Sequence, residues 1–551
     1  MSFAKWKFNR MLVVGTMTMA VNYVVMLSAS VIVGNLVGAD ALAGINVCTP
    51  VFGAVGFLAS LLSVGTALVF SRAMGAFDAK RAAEAYSQSL VLAAVLGLVI
   101  GGGMPLVRDL FFDLTGVTGA VRAEAAHYWR GETYVLALTP VVLLVEALVY
   151  ADGDSLVAAG AGVVHVLGTI GFAVLFTRLS GHAGGAAYGT ALAMMLALAV
   201  AALHGLRREN HLVARFHRWS WTDLRETLAA SLADSTIYLC WGALVFVVNR
   251  FTVLEYGQQL LPAVALAASL VEFSIVFDGV GEALIPVGGM YAGEKNLPAL
   301  RTLANHAALV ATLEGLVCGA AALVFAPTVA AAYGFDPADA RLFAAAADAV
   351  RILAFAMPFM GLMMMMNTHY LVVGHIPFAV SVTVMKDFVC PCAGVLLLGR
   401  LGSGSGACIW AGFTAGYATA AAYPFLYVLL RHGRSRFPWL IERDDGRALD
   451  FTVKLTAATL ADAGRRIGEF LNSRGIRHVG EVLSAVETAG QATLDANRRP
   501  VRTEYYVSAE TPDSVRLIVR DDGKTLAGTT GRYLNTLGCN RTELRFDIIS
   551  A

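Results

Sequence analysis

The chain has 551 residues, of which 57% are hydrophobic and 15% charged, with a net charge of +1. A soluble domain carries roughly 25% charged residues, and a mean hydropathy of +0.65 is more than a water-facing shell can absorb. The expected solvent is a bilayer. The near-neutral balance leaves no basic field, so no nucleic-acid partner is expected.

A membrane span needs about 20 apolar residues. Apolar runs in chain order predict twelve, at 11–34, 47–72, 86–107, 132–151, 155–177, 183–205, 228–253, 262–289, 303–326, 347–372, 376–399 and 407–431. Each is expected to be helical, because lipid offers no partner to free backbone N–H and C=O groups. The first run follows Lys5, Lys7 and Arg10 and lacks a small-residue cleavage pattern, so it reads as a retained span rather than a signal peptide. Basic residues cluster at Arg72, Lys80 and Arg81, between 207 and 225, at Lys295 and Arg301, and at Arg431, Arg434 and Arg436. With an even number of spans these fall on one side, which places both termini in the cytoplasm. The loops holding Arg108, Arg122 and Arg178 fall on the other.

Three strings recur in order. VGTAL at 64–68 matches VGEAL at 280–284, LALTP at 136–140 resembles AFAMP at 354–358, and GGAAYGTA at 184–191 resembles SGACIWAG at 405–412. The nearly constant offset predicts two six-span halves in parallel orientation, as in transporters with a cavity between lobes. The fold class is therefore all-α membrane, with 12 transmembrane helices in two pseudo-repeats, plus a small α/β domain at the C-terminus. The boundaries are a first lobe at 1–205, a linker at 206–227, a second lobe at 228–432, a linker at 433–445 and a cytoplasmic domain at 446–551. In that last domain strands are expected at 449–455, 500–509, 513–521 and 541–549, and helices at 457–473 and 477–497. The seven cysteines are scattered, and Cys390-Pro-Cys392 reads as apolar packing.

Ionisable groups inside apolar spans are costly and mark function by default. Span eight carries Glu272, Asp278 and Glu282; at 100° per residue the latter two share a face, and all three are candidates to line one aqueous cavity. Lys386 and Asp387 in span eleven lie 100° apart, so a mutual ion pair is poorly posed and Lys386 is expected to reach a carboxylate on another helix. Glu146 and His165 complete the candidate ion-coupling and cavity set, and Asp234 and Asn249 in span seven rank with His165. The run Met363–Met366 reads first as packing and second as a pliable binding surface.

The segments VGTALVFSRAMGAFDAKRA (64–82), GEALIPVGGMYAGEKN (281–296) and GNLVGADALAGINVCTP (34–50) resemble the signatures of multidrug and toxic compound extrusion (MATE) transporters, and the likeness covers about 1–432. It is nearest the prokaryotic DNA-damage-inducible and staphylococcal multidrug branches. The resemblance implies a secondary active transporter, not an enzyme: an H⁺- or Na⁺-coupled antiporter that exports small amphipathic organic cations by alternating access between two lobes in a V. It implies no cofactor beyond the coupling ion, and a bacterial inner-membrane location. The chain departs from those branches at Ala29, where an acidic residue is usual, and at His165 and Thr169, where Asn and Asp are usual.

In the tail, 481–497, VRLIVRDDGK (515–524) and LGCNRTELRF (537–546) resemble the histidine-kinase-like ATPase fold, nearest the anti-sigma-factor kinases. The resemblance implies Glu487 as base, Gln491 in the place of the magnesium-binding Asn, and Asp521 with Gly523 as the adenine motif, ahead of a thin glycine lid at 527–531. With Gln for Asn, a regulatory module for a cytoplasmic partner or nucleotide is expected rather than an ATPase or kinase. Two other readings of the whole chain are a lipid-linked substrate flippase and a membrane-anchored sensor whose tail is the effector.

Overall fold

The computed structural model describes residues 2–115, 119–207, 210–213, 219–257, 260–333, 335, 337–401, 406–442, 446–477, 479–511, 514–524, 532–537 and 539–547. The side chains of Ala29, Asp234 and Asn249, and the stretch 527–531, lie outside the described residues. Residues 3–436 are almost wholly helical: α1 (Phe3–Leu36), α2 (Ala39–Ser60), α3 (Ser63–Gly75), α4 (Ala79–Thr115), α5 (Gly119–Ala151), α6 (Ser155–Ser180) and α7 (Gly184–Ala202). A second series follows, with α8 (Trp221–Glu255), α9 (Leu261–Glu272), α10 (Gly279–Glu294), α11 (Leu297–Ala332), α12 (Ala340–Ala354), α13 (Met357–Val372), α14 (Ile376–Val384), α15 (Cys390–Gly399) and α16 (Ala407–Arg436). Among the described residues nine helices are long and apolar enough to cross a bilayer, or ten if the pair α12–α13, bent by 48°, is one span. Twelve apolar segments were expected; of these, 262–289 is broken by a 3₁₀ stretch, and 11–34 lies in the continuous α1 but largely outside the residues whose side chains are described.

Each break has a local cause or a local consequence. Segment 47–72 divides at Leu61–Leu62 into α2 and α3. Segment 262–289 is interrupted by a 3₁₀ stretch, Phe273–Asp278, where Gly279 lies against the backbone of Thr16 in α1. Segment 347–372 bends ahead of Pro358, which cannot donate to the preceding turn. Segment 376–399 contains a π turn, Met385–Val389. Such 3₁₀ and π interruptions are frequent at working sites of helices.

The repeat is visible in the backbone. Phe77 and Lys295 both have a left-handed φ of 59° just after α3 and α10, where glycine is usual because it has no Cβ. Both turns close the same way: Asp78 N–H donates to Ala73 O at 2.9 Å, and Asn296 N–H to Tyr291 O at 3.0 Å. Gly75 and Gly293 allow α3 and α10 to touch: a Cβ on Gly75 would fall 2.3 Å from Met290 O, and one on Gly293 2.3 Å from Arg72 O. The two series therefore meet directly at the end of the bundle from which the tail emerges.

Beyond α16, residues 437–441 pack on the second series, with Trp439 Nε1 donating to Asn305 at 2.7 Å. The tail then runs β1 (Ala448–Lys454), α17 (Ala457–Ser473), α18 (Val479–Ala496), β2 (Arg502–Thr511), β3 (Ser514–Asp521), β4 (Arg532–Thr536) and β5 (Cys539–Asp547). The five strands form an antiparallel sheet in the order β1-β2-β3-β5-β4. Strand β4 was not foreseen; its five residues lack the alternation that exposes longer strands. One sheet face, with Tyr505, Val507, Val515, Leu517 and Val519, joins the apolar core that holds Leu460, Ile467, Val482 and Val486 of α17 and α18. The opposite face carries Glu504, Arg520, Arg541 and Glu543, and it too is buried, here against the ends of the membrane helices.

Candidate functional site

Between the two helical series lies a cavity of about 180 Å³ lined by Gly15 and Met19 of α1, Ser60 and Ser63 at the α2–α3 break, Glu146 and Tyr150 of α5, Tyr238 of α8, Asp278 and Glu282. Both halves contribute wall. Because the 3₁₀ stretch advances about 120° per residue rather than 100°, the face expected for an unbroken helix eight does not persist along its length. Asp278 and Glu282 reach the cavity. Glu272, one break earlier, instead accepts a hydrogen bond from Trp241 Nε1 at 3.0 Å and is not among the groups lining it.

Each cavity carboxylate has a defined neighbour. Glu146 Oε1 lies 3.7 Å from His165 Nδ1 on α6, a separation for charge attraction rather than a hydrogen bond. Asp278 Oδ1 sits beside Gly281 and Thr368: a Cβ at position 281 would fall 2.5 Å from Asp278 Oδ1 and 2.7 Å from Thr368 Oγ1. Glu282 acts electrostatically on Tyr150, whose hydroxyl donates to Met11 O at 2.6 Å. Ser60 and Ser235 join α2 to α8 by a buried 2.7 Å hydrogen bond. The arrangement puts three carboxylates and one imidazole at or beside a seam shared by the halves, which suits binding of a proton, a metal cation or an organic cation.

The expectation for Lys386 is corrected. Lys386 Nζ lies 2.6 Å from Asp387 Oδ1 and 3.2 Å from Met364 Sδ. The two residues sit in the π turn, whose wider winding narrows the angle between consecutive side chains, so neighbours in sequence can pair. Both still act electrostatically on Asp278, so the ion pair borders the cavity group without directly bonding it. The methionines 363–366 are buried, in line with packing. Cys390 and Cys392 are free and buried.

Two membrane carboxylates escaped the reading of the sequence. Glu132 of α5 is buried with Tyr128 as its hydrogen-bond partner. Glu314 of α11 accepts from Thr16 Oγ1 at 3.4 Å, and its other oxygen is buried with no hydrogen-bond partner among the described residues. The signal was present for both, an acid in or at the edge of an apolar run.

Toward the tail end, a polar cluster fixes the α5–α6 turn. His204 Nε2 lies 2.9 Å from Asp152 Oδ2 and its Nδ1 lies 3.0 Å from Asp154 Oδ2, while His211 Nδ1 is 2.9 Å from Asp152 Oδ1. With a carboxylate at each nitrogen, the His204 ring donates from both. Burial pushes the Asp152 carboxyl up, but hydrogen bonds from His204 and His211 outweigh it and hold the group below its usual range.

In the tail, Glu487 and Gln491 are exposed on α18, and Gln491 Nε2 donates to Asp495 Oδ1 at 2.9 Å. Asp521 is buried at the end of β3, where its Oδ1 accepts from Gly523 N and Asn540 Nδ2, each at 2.8 Å. Burial raises the Asp521 carboxyl despite those bonds.

The MatE family profile matches residues 16–175 and 236–386, over half of the chain and in both helical series. The chain belongs to the MatE family. As a MatE protein it is a membrane protein and a secondary transporter, not an enzyme. Among solved structures, a MATE protein in complex with MaL6 superposes with a TM-score of 0.73 at 23% identity, over 78% of this chain and 96% of that one. A multidrug resistance MATE transporter of the MOP superfamily in an outward-facing conformation gives 0.72 at 24%, with the same coverages. A MOP superfamily transporter from Pyrococcus furiosus, described as having a binding pocket of reversed polarity, gives 0.72 at 23%, again over 78% and 96%. The likeness is one of fold. A search of curated proteins returns no match.

Proposed function

We propose that this MatE protein is a cation-coupled antiporter of the bacterial inner membrane that exports small amphipathic organic cations, as in the DNA-damage-inducible and staphylococcal multidrug branches. It has twelve spans, six in each half, with both termini and the tail in the cytoplasm. The observation that carries the reading is the carboxylate-lined cavity on the seam between the halves. Asp278, Glu282 and Glu146 with His165 form the coupling and substrate site, and the ion pair Lys386–Asp387 sets the field around Asp278. Glu272 serves as a hydrogen-bonded support through Trp241. With Ala29 in the usual acidic position of span one, coupling runs through these groups and not through an acid at that position.

Alternating access requires the ion and the substrate to bind the two states with different affinity. An ion entering down a potential of about 100 mV supplies about 2.3 kcal/mol per charge. The tail is a regulatory module of the histidine-kinase-like type; the buried Asp521 beside Gly523 supports a nucleotide or protein partner there, with Glu487 and Gln491 on the neighbouring helix. The test is efflux of a fluorescent organic cation from proteoliposomes under an imposed H⁺ gradient, and separately under an imposed Na⁺ gradient. Efflux that follows either gradient and collapses with an ionophore is expected. Efflux indifferent to both refutes ion coupling.

A further inference from the structure

The sheet face that carries the charged Glu504, Arg520, Arg541 and Glu543 looks like a solvent face in the sequence. Instead these side chains are essentially inaccessible. Glu543 pairs with Arg516 within the sheet, while Glu504, Arg520 and Arg541 reach the tail-side ends of α3 and α10, the two helices equivalent under the repeat. A helix C-terminus presents carbonyls without partners and a partial negative charge, which cations satisfy. Arg541 donates to Met74 O at 3.0 Å and Gly75 O at 3.1 Å, at the end of α3. The same guanidinium lies 2.5 Å from Glu294 Oε1, at the end of α10. Arg516 Nη1 donates to Glu294 O at 2.6 Å, and Tyr506 to Lys295 O at 3.2 Å. Arg520 also lies 2.5 Å from Glu294 and pairs with Glu504.

We infer that the tail is a lock on the transport cycle: its sheet fastens the first half to the second at the cytoplasmic end, and that end opens only when the sheet lets go of the first half. The inference rests on the alternating-access reading above. Opening there must part α3 from α10, and a single guanidinium cannot follow both. The asymmetry of the attachments fixes which contact yields. Toward the second half, the tail is continuous with a segment stitched down by Trp439 to Asn305, by His369 Nε2 to Trp439 O at 2.9 Å and by Arg301 to Ile441 O at 2.7 Å. Toward the first half it has the α3 carbonyls, a hydrogen bond from Phe3 N to Thr452 Oγ1 at 2.9 Å, a bond from Lys7 to Leu537 O, and Leu537 set against Gly153. The tail therefore rides with the second half and releases α1, α3 and the α5–α6 turn. A ligand that draws the sheet away raises transport; one that holds it down stops transport.

The test uses the full chain in nanodiscs and proteoliposomes. In Arg541→Ala, hydrogen exchange in 68–76 and 1–10 is expected to quicken about tenfold while 297–310 stays as in the parent, and efflux rises several-fold. Arg541→Lys, which keeps the charge but not the fork, is expected to fall between. For a variant that folds poorly, Phe3→Cys with Thr452→Cys provides the converse: oxidation halts efflux and reductant restores it. Unchanged exchange in 68–76 in both Arg541 variants, or full efflux with the cysteines bridged, overturns the lock. If the parent exports nothing, the transport reading fails, while the exchange data still decide whether the sheet holds the halves together.

Discussion

Replacing Gly75 by alanine tests the seam where the two halves meet at the end from which the tail emerges. A Cβ there would stand 2.3 Å from Met290 O and 3.0 Å from the Cα of Gly293, while ordinary contact begins at 3.4 Å. Both obstacles are backbone, so α3 and α10 must separate by about 1 Å. Inserting a methyl group into such a contact costs about 1–3 kcal/mol, a factor of about 5 to 150 in an equilibrium between touching and parted halves. Alanine's better helix propensity acts in the opposite direction by up to about 1 kcal/mol, so any loosening reflects the seam and not a frayed helix. Hydrogen exchange of 68–76 and 286–296 reads the effect, because local protection falls in proportion to the opening population. Both segments are expected to exchange faster while the rest of the chain is unchanged. Parent-like protection in both refutes the claim that this glycine contact holds the end closed.

Gly281→Ala is expected to displace the Asp278 carboxylate, since its Cβ meets both Asp278 Oδ1 and Thr368 Oγ1; binding of an organic cation by calorimetry weakens while the melting temperature changes little. Asp152→Asn leaves His204 and His211 short of a buried anionic partner, at a cost of about 3–5 kcal/mol, read as a lower melting temperature. Docking of the tail is expected to depend on pH through Glu504. Burial first and the charge of Asp450 second push it up to about 8, against the pull of Arg520, while Glu294, which takes both Arg520 and Arg541, is held low despite its burial. A carboxyl raised in the docked state favours docking when protonated. Its contribution is therefore full below the ordinary carboxylate range and is lost as pH rises to about 8. Exchange of 286–296, where the Tyr291 hydroxyl donates to Glu504, should quicken across that interval in the parent and lose this dependence in Glu504→Gln.

The apolar runs announced the helices because lipid enforces long, uninterrupted hydrophobic stretches. They did not announce the breaks. Leu61–Leu62 and Phe273–Asp278 contain neither proline nor glycine; their geometry arises from contacts across the halves, such as Gly279 on Thr16, which no local rule contains. That loss of phase is why Glu272 was grouped with Asp278 and Glu282, and the π turn is why Lys386 was denied its neighbour Asp387. The helices of the tail and its strands other than β4 were legible from alternation and periodicity. The role of its charged face was not, since a polar stripe that caps helix ends looks the same in sequence as one that meets water.

Asp278→Asn combined with Glu282→Gln, assayed for gradient-driven efflux in proteoliposomes, tests the central claim most directly. Correctly folded double variant is expected to lose ion-driven efflux by at least about a hundredfold, with exchange of substrate between two equal pools reduced far less. Efflux at the parent rate under the same gradient would contradict the assignment of the seam cavity as the coupling site.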